Sequence, residues 1–231
     1  MTDRSTARHH EHEYLPAMGR DRLLPLYDPF TWLLGVPRVH RRLTVRAGIE
    51  PGHRVLEVGC GTGNLALRVQ RMHPAADVVG LDPDPLALAR AQRKAERAGL
   101  PVHWDRGTAG KLPYPDESVD RVLSAFMFHH LDEAEKRRML AEARRVLRPG
   151  GQVHLVDFGG HHGGLVGRWV HRSEHLRDNA GDGIPDRMRE AGLEDVRTAA
   201  GVGLGATHVR ATRRLTSPPA QNSPPERRGG N

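Results

Sequence analysis

Apolar and polar positions change period several times along this chain, and each change marks an element. Val55-Leu56-Glu57-Val58 is a short apolar run that stops at Gly59, and a helical period opens at Asn64-Leu65-Ala66-Leu67. A strand, a tight turn and a helix are therefore predicted in succession. Asp77–Asp82 reads as a second buried strand, followed by Asp84 as N-cap, Pro85 as first helical residue, and a helix that stops at Gly99. Val102-His103-Trp104 predicts a third strand and Arg121–Phe126 a fourth. Asp132 opens another helix, with Glu135 placed to complete a capping box. Met139, Leu140, Ala143, Val146 and Leu147 recur at helical spacing, and Arg148-Pro149-Gly150-Gly151 is read as the end of that helix. Gln152–Phe158 predicts the fifth strand and Ile184–Ala191 a helix ended by Gly192. Asp195–Thr198 and Thr207–Thr212 predict the last two strands.

The turn after the first strand carries the chemistry. Gly59, Gly61 and Gly63 occupy alternate positions, so the backbone can turn tightly and approach a ligand that any Cβ would hold off. The turn feeds a helix N-terminus, whose unpaired N–H groups attract carboxylate or phosphate. A phosphate-cradling loop would end in Lys-Ser or Lys-Thr, yet the nearest downstream lysine is Lys94. A dinucleotide fingerprint would place its third glycine where Asn64 stands. Asp82 ends its strand about twenty residues past the glycines, the spacing at which an acid meets the hydroxyls of a ribose.

Glu57-x-Gly59-x-Gly61-x-Gly63, Asp82, Leu112-Pro113 and the stretch from Phe126 to Phe158 resemble, in that order, the class I S-adenosylmethionine-dependent methyltransferases, and in particular their quinone-biosynthesis-like branch. The resemblance covers roughly Val55 to Phe158. It implies an α/β fold: a Rossmann-like, doubly wound, seven-stranded sheet with the last strand antiparallel. It implies S-adenosylmethionine as cofactor and Glu57, Gly59, Gly61 and Gly63 around its methionine end. Asp82 and Pro83 would lie at the ribose, and Ser124 among the cofactor-binding positions. That branch carries an Asp-Ala pair before Leu-Pro for the adenine amino group. Here Thr108-Ala109 stands there, with Asp105 nearby as the other candidate. Relatives fold an N-terminal segment over the cofactor and commonly mark it with a Tyr-Asp pair, which points to Tyr27.

Residues 1–18 are expected to be disordered, 19–47 to form a helical lid of two short helices broken at Pro37, 48–214 to be the methyltransferase domain, and 215–231 a disordered tail. The second lid helix is predicted over Arg38–Ala47. The net charge of +7 raises a nucleic-acid partner, but Lys94, Lys111 and Lys136 are the only lysines and aromatic residues make up only 4%. That leaves no obvious stacking platform for bases. Ser124-Ala125-Phe126-Met127 also lacks the Asn-Pro-Pro-Tyr type of motif found in amino-directed DNA methyltransferases. A small-molecule acceptor is favoured, apolar or quinone-like on the strength of the lid. The alternatives are an RNA or DNA methyltransferase and a catalytically silent subunit of the same fold.

Cys60 is the only cysteine, so no internal disulfide or cysteine metal cluster is expected, and no metal is assigned. The polar start and the lack of a long apolar run predict a cytoplasmic protein with at most peripheral membrane contact. No catalytic residue is assigned. His129 and His130 follow the fourth strand and are either a general base or turn structure. His161 and His162 could meet a metal with Asp157, although no separate ligand set is visible.

Overall fold

The computed structural model describes residues 35–158, 183–199 and 206–215. In chain order these form α1 (Val36–Arg46), β1 (Arg54–Val58), α2 (Asn64–Met72), β2 (Asp77–Asp82), α3 (Pro85–Ala98), β3 (Val102–Arg106), β4 (Val119–Ala125), α4 (Glu133–Val146), β5 (Leu147–Phe158), α5 (Gly183–Glu190), β6 (Glu194–Ala199) and β7 (Ala206–Thr212). The strands form one seven-stranded sheet in the order β3-β2-β1-β4-β5-β7-β6. β1 to β5 pair in parallel, and β7 runs antiparallel to both of its neighbours, β5 and β6. The expected doubly wound α/β sheet with its last strand reversed is therefore present, and β7 alone is reversed. Direction of travel across the sheet switches between β1 and β4, where the carboxyl ends of parallel strands open a ligand crevice.

The helices cover both faces. Val39 and Leu43 of α1, Leu65 and Val69 of α2 and Ala95 of α3 pack on one side with Val55 and Val78. Met139 and Leu140 of α4 and Ile184 and Met188 of α5 pack on the other with Leu56 and Val122. Asp132 caps α4 as predicted, its Oδ1 accepting the Glu135 N–H at 2.7 Å while Glu135 Oε2 accepts the Asp132 N–H at 3.1 Å. Among the described residues no helix is long and apolar enough to cross a membrane.

Two predicted boundaries move. The lid helix expected from Arg38 begins at Val36 and holds Pro37 in its first turn, where the missing N–H is not needed. The other predicted lid helix, and with it Tyr27, lies outside the described residues. Arg148-Pro149-Gly150-Gly151 is not a connector but an irregularity inside β5. Val119 pairs with Leu147 and Arg121 with Gln152, so four residues face Asp120 alone. Gly151 makes this possible, because a Cβ there would stand 2.9 Å from the Arg148 carbonyl oxygen and 3.1 Å from that of Asp120. Arg148 Nη1 then reaches Asp120 Oδ2 at 2.7 Å.

Three histidines are buried on the α1 side. His154 Nδ1 lies 3.1 Å from His208 Nε2, and its Nε2 lies 3.1 Å from Gln152 Oε1. Burial first, and the Arg68 charge second, lower the His40 pKa to about 4. Burial and nearby His208, Arg121 and Arg210 lower His154 to about 3, while burial and the charges of Arg46 and Arg210 lower His208 to about 4. Each stays neutral in the folded chain but takes a proton below about 6.5 when unfolded. Acid therefore favours the unfolded state, and this stability is full above pH 6.5 and drains between there and about pH 4 for His40 and His208, and about pH 3 for His154. Glu57 and Asp82, whose burial raises their pKa, act in the opposite sense. A substitution isolates one histidine from that balance. Denaturant unfolding of a His40→Gln variant between pH 6 and 4.5 should show a slope against pH shallower than the parent's by up to about 1.4 kcal/mol per unit. An identical slope would mean that His40 titrates alike in both states.

Candidate active site at the carboxyl ends of β1, β2 and β4

Glu57 sits near the end of β1 with 4% of its surface exposed. Its Oε2 accepts the Ala66 N–H at 2.7 Å, so the carboxyl is tied to the first turn of α2, where the helix dipole favours negative charge. Burial pushes this carboxyl well above the usual carboxylate range, the Ala66 N–H draws it back, the Asp82 charge raises it and the Lys94 charge lowers it. Asp82, 6% exposed, closes β2. Its Oδ2 accepts the Gly61 N–H at 2.8 Å and its Oδ1 accepts the Asp84 N–H at 2.9 Å. Each oxygen keeps a second lone pair. Burial raises the Asp82 pKa, and the two N–H groups oppose the rise.

The three glycines of the turn do different work. A Cβ on Gly59 would stand 2.3 Å from Met127 Cγ, so Gly59 admits the Met127 side chain from the segment after β4. Gly63 has φ +77° and would carry a Cβ 2.4 Å from Trp104, whose ring also lies 2.6 Å from a Cβ built on Gly80. These two glycines seat the indole. Gly61 is the open position: φ is +50° and nothing lies within 4 Å of a Cβ placed there. Of the three, it is the one whose surface is left clear for a ligand.

Other predicted residues gather around this turn. Pro83 follows Asp82 and its carbonyl accepts Arg106 Nε at 3.2 Å. The Gly107 N–H donates to the Asp82 carbonyl at 3.2 Å, which sets Thr108 and Ala109 just beyond the end of β2. Thr108 bridges to Lys111 in a tight turn, and Ala109 packs on the core. Asp105, the other adenine candidate, accepts the Tyr114 hydroxyl at 2.9 Å. Ser124 is buried and donates to the Val58 carbonyl at 3.0 Å, bracing β4 against β1 beneath the turn. His161 and His162 lie outside the described residues, among which no group of three or more His, Cys, Asp or Glu is placed to hold a metal ion.

Two features escaped the sequence. Lys94, set aside because its spacing matches no phosphate loop, returns from α3 to bond Thr62 Oγ1 at 3.0 Å and Asn64 Oδ1 at 2.7 Å. The second is a fastening between β5 and the segment after β4. Phe126 has φ +56°, a strained conformation for a bulky residue, and its N–H donates to the Val156 carbonyl at 2.8 Å. The chain then makes one 3-10 turn, Phe128–His130. There the fully buried Asp157 accepts the His129 backbone N–H at 3.0 Å and lies 2.6 Å from His129 Nδ1. The His129 ring packs edge-on to Phe158 at 5.3 Å between centroids and beside His130 at 4.0 Å.

With this geometry in place, residues 55–151 match the family described as methyltransferase domain. That segment is similar to known methyltransferase domains. The demethylmenaquinone methyltransferase of Thermus thermophilus is 40% identical over 139 residues, covering 59% of this chain and 62% of that protein. The demethylmenaquinone methyltransferase of Deinococcus radiodurans is 37% identical over 148 residues, covering 63% and 61%. The chain thus spans about six-tenths of the length of these relatives. A methyltransferase of Aquifex aeolicus, described as S-adenosylmethionine-dependent, superposes with a TM-score of 0.67 at 24% identity, over 83% of this chain and 97% of that one. It shares the Rossmann-like fold found here.

Contrasting glycine substitutions test the division of labour in the turn after β1. Gly61→Ala should cost only the strain of a left-handed residue, about 1–2 kcal/mol, because its Cβ meets nothing. Gly63→Ala should cost more, since the Trp104 ring must move as well, and pairing it with Trp104→Leu should restore part of the loss. Thermal unfolding reads both, and equal losses for the two single variants would contradict the assignment.

Proposed function

We propose that this chain is an S-adenosylmethionine-dependent methyltransferase acting on a small, quinone-like acceptor. The observation that carries the reading is the pair of buried carboxyls, Glu57 and Asp82, on neighbouring strand ends around the open Gly61. An acidic cradle suits a ligand with cationic ammonium and sulfonium groups and a ribose diol, and does not suit a bare phosphate. The lone pairs left on Asp82 fit two ribose hydroxyls, Glu57 and the glycine turn fit the methionine end, and Thr108-Ala109 fit the adenine edge. Pro83, Ser124 and Tyr27 stand in the same proposal as flanking positions. The quinone-like class is supported by the names of the two relatives.

When bound, the cofactor supplies a methyl group already activated on sulfur. The protein's task is to hold the acceptor in line and to accept the proton that the acceptor gives up. His129 is built for the second part. With its Nδ1–H donated to the Asp157 carboxylate, its Nε2 keeps a lone pair, and the same carboxylate stabilises the imidazolium formed on proton transfer. The cofactor would supply the methyl group to the acceptor's nucleophilic atom, with the bonding pair left on its sulfur, and His129 Nε2 would take the proton that the acceptor gives up. Cys60 takes no part as a nucleophile, since burial raises its thiol pKa well above the ordinary value.

A labelled-methyl assay with a reduced demethylated naphthoquinone as acceptor tests this reading, with product mass as readout. His129→Gln should lower kcat by about 10²–10⁴ with little change in KM. Asp157→Asn should leave the ring in place but move its proton to Nε2, visible as a tautomer change in the imidazole ¹⁵N spectrum. Unchanged kcat in both variants would remove His129 from the chemistry. Absence of methylated product from the parent, with the cofactor bound, would remove the acceptor class.

A further inference from the structure

The arginines of this chain are not distributed evenly between the two faces of the sheet. The face covered by α4 and α5 carries acids among its arginines: Arg145 lies 2.7 Å from Glu142 and 2.8 Å from Asp116, and Arg187 lies 2.6 Å from Glu133. On the opposite face, α1 and α2 hold Arg38, Arg41, Arg42, Arg46, Arg68 and Arg71 and not one acidic residue. These two short helices carry six positive charges in a chain whose formal net charge is +7. Arg38, Arg41, Arg46, Arg68 and Arg71 make no ion pair among the described residues. The acids at the adjoining sheet edge, Glu50 and Asp77, are engaged by His53 and Arg54.

Spacing turns these charges outward. Val39, His40, Leu43 and Thr44 are buried, which leaves positions 38, 41, 42, 45 and 46 as the exposed stripe of α1. Arg71 ends α2 on the same outer surface, and burial together with the charges of Arg71 and Arg41 holds the Arg68 guanidinium below its usual range. Its Nε is buried with no partner. Within this cationic field lie two of the largest exposed apolar side chains, Val45 at 58% and Met72 at 38%. Polyanions such as RNA match the charge but give Val45 and Met72 nothing to bury into. A bilayer with anionic headgroups satisfies both.

We propose that the outer face of α1 and α2 docks the protein on an anionic lipid surface. Arginines at the headgroups and shallow insertion of Val45 and Met72 fit the interfacial mode of binding, in which apolar burial and charge attraction act together. This goes beyond the methyl-transfer reading and does not depend on it, although a lipid-like acceptor would be met at such a surface.

Sedimentation of the full chain with sucrose-loaded vesicles, without cofactor or acceptor, keeps the test separate from catalysis. The protein should pellet with phosphatidylglycerol-containing vesicles, remain in solution with phosphatidylcholine alone, and be released as salt rises and the charges are screened. Arg41→Gln combined with Arg71→Gln should weaken binding by about 30-fold at low salt, at about fivefold for each arginine. An environment-sensitive dye on a Val45→Cys variant should shift to the blue with anionic vesicles and not with RNA. Equal pelleting with both vesicle types, no pelleting with either, an unaffected arginine double variant, or binding to random-sequence RNA without any dye shift on vesicles would each overturn the proposal. An unchanged melting transition confirms that the variants are folded.

Discussion

The contact on which the site depends is the bond from the Gly61 N–H to the buried Asp82 carboxylate. It joins the turn after β1 to the end of β2 and fixes the only clear glycine of that turn beside an acid. The cost is a carboxyl taken out of water, which burial penalises and two backbone N–H groups repay. Glu57 repeats the arrangement one strand over, held by the first turn of α2. Two buried carboxyls so close together raise each other's energy. Such a pair is stable only with hydrogen bonds around it, and it leaves a cradle whose unmet demand is for donors and positive charge. The rest of the fold serves that cradle: the parallel register of β1 and β2 sets Glu57 opposite Gly80, two residues short of Asp82, and Trp104 packs against Gly63 and Gly80.

Most of the scaffold was legible in the sequence because local signals agree with tertiary ones. Asp84, Pro85 and Gly99 bound α3, Asp132 and Glu135 bound the start of α4, and continuous apolar runs mark the buried strands β1 and β2. What could not be read depends on partners distant in the chain. The irregularity at Arg148–Gly151 exists only relative to Asp120 on β4. The start of α1 at Val36, two residues before the expected Arg38, goes with the packing of Val39 and Leu43 on the sheet.

The candidate site was legible in its acids and glycines, and less so in how they divide the work. Spacing showed that Gly59, Gly61 and Gly63 were needed but not that Met127 and Trp104 occupy two of the three positions. Lys94 was dismissed by motif logic, which counts along the chain, whereas α3 returns it across 30 residues to Asn64. Asp157 carried no signal as the partner of His129, 28 residues away, and had suggested a metal instead. Charge behaved likewise: the net +7 that first raised a nucleic-acid partner resolves into two helices, α1 and α2, with six arginines and no acid, and a face whose helices carry both signs.

The most direct test of the account is a calorimetric titration of S-adenosylmethionine into the parent chain and into an Asp82→Ala variant. The parent should bind with one site, and the variant should fold yet bind roughly 5- to 150-fold more weakly, the equivalent of about 1–3 kcal/mol for stranded ribose hydroxyls. No binding by the parent at millimolar cofactor, or equal affinity in a folded variant, would contradict the assignment of this cradle.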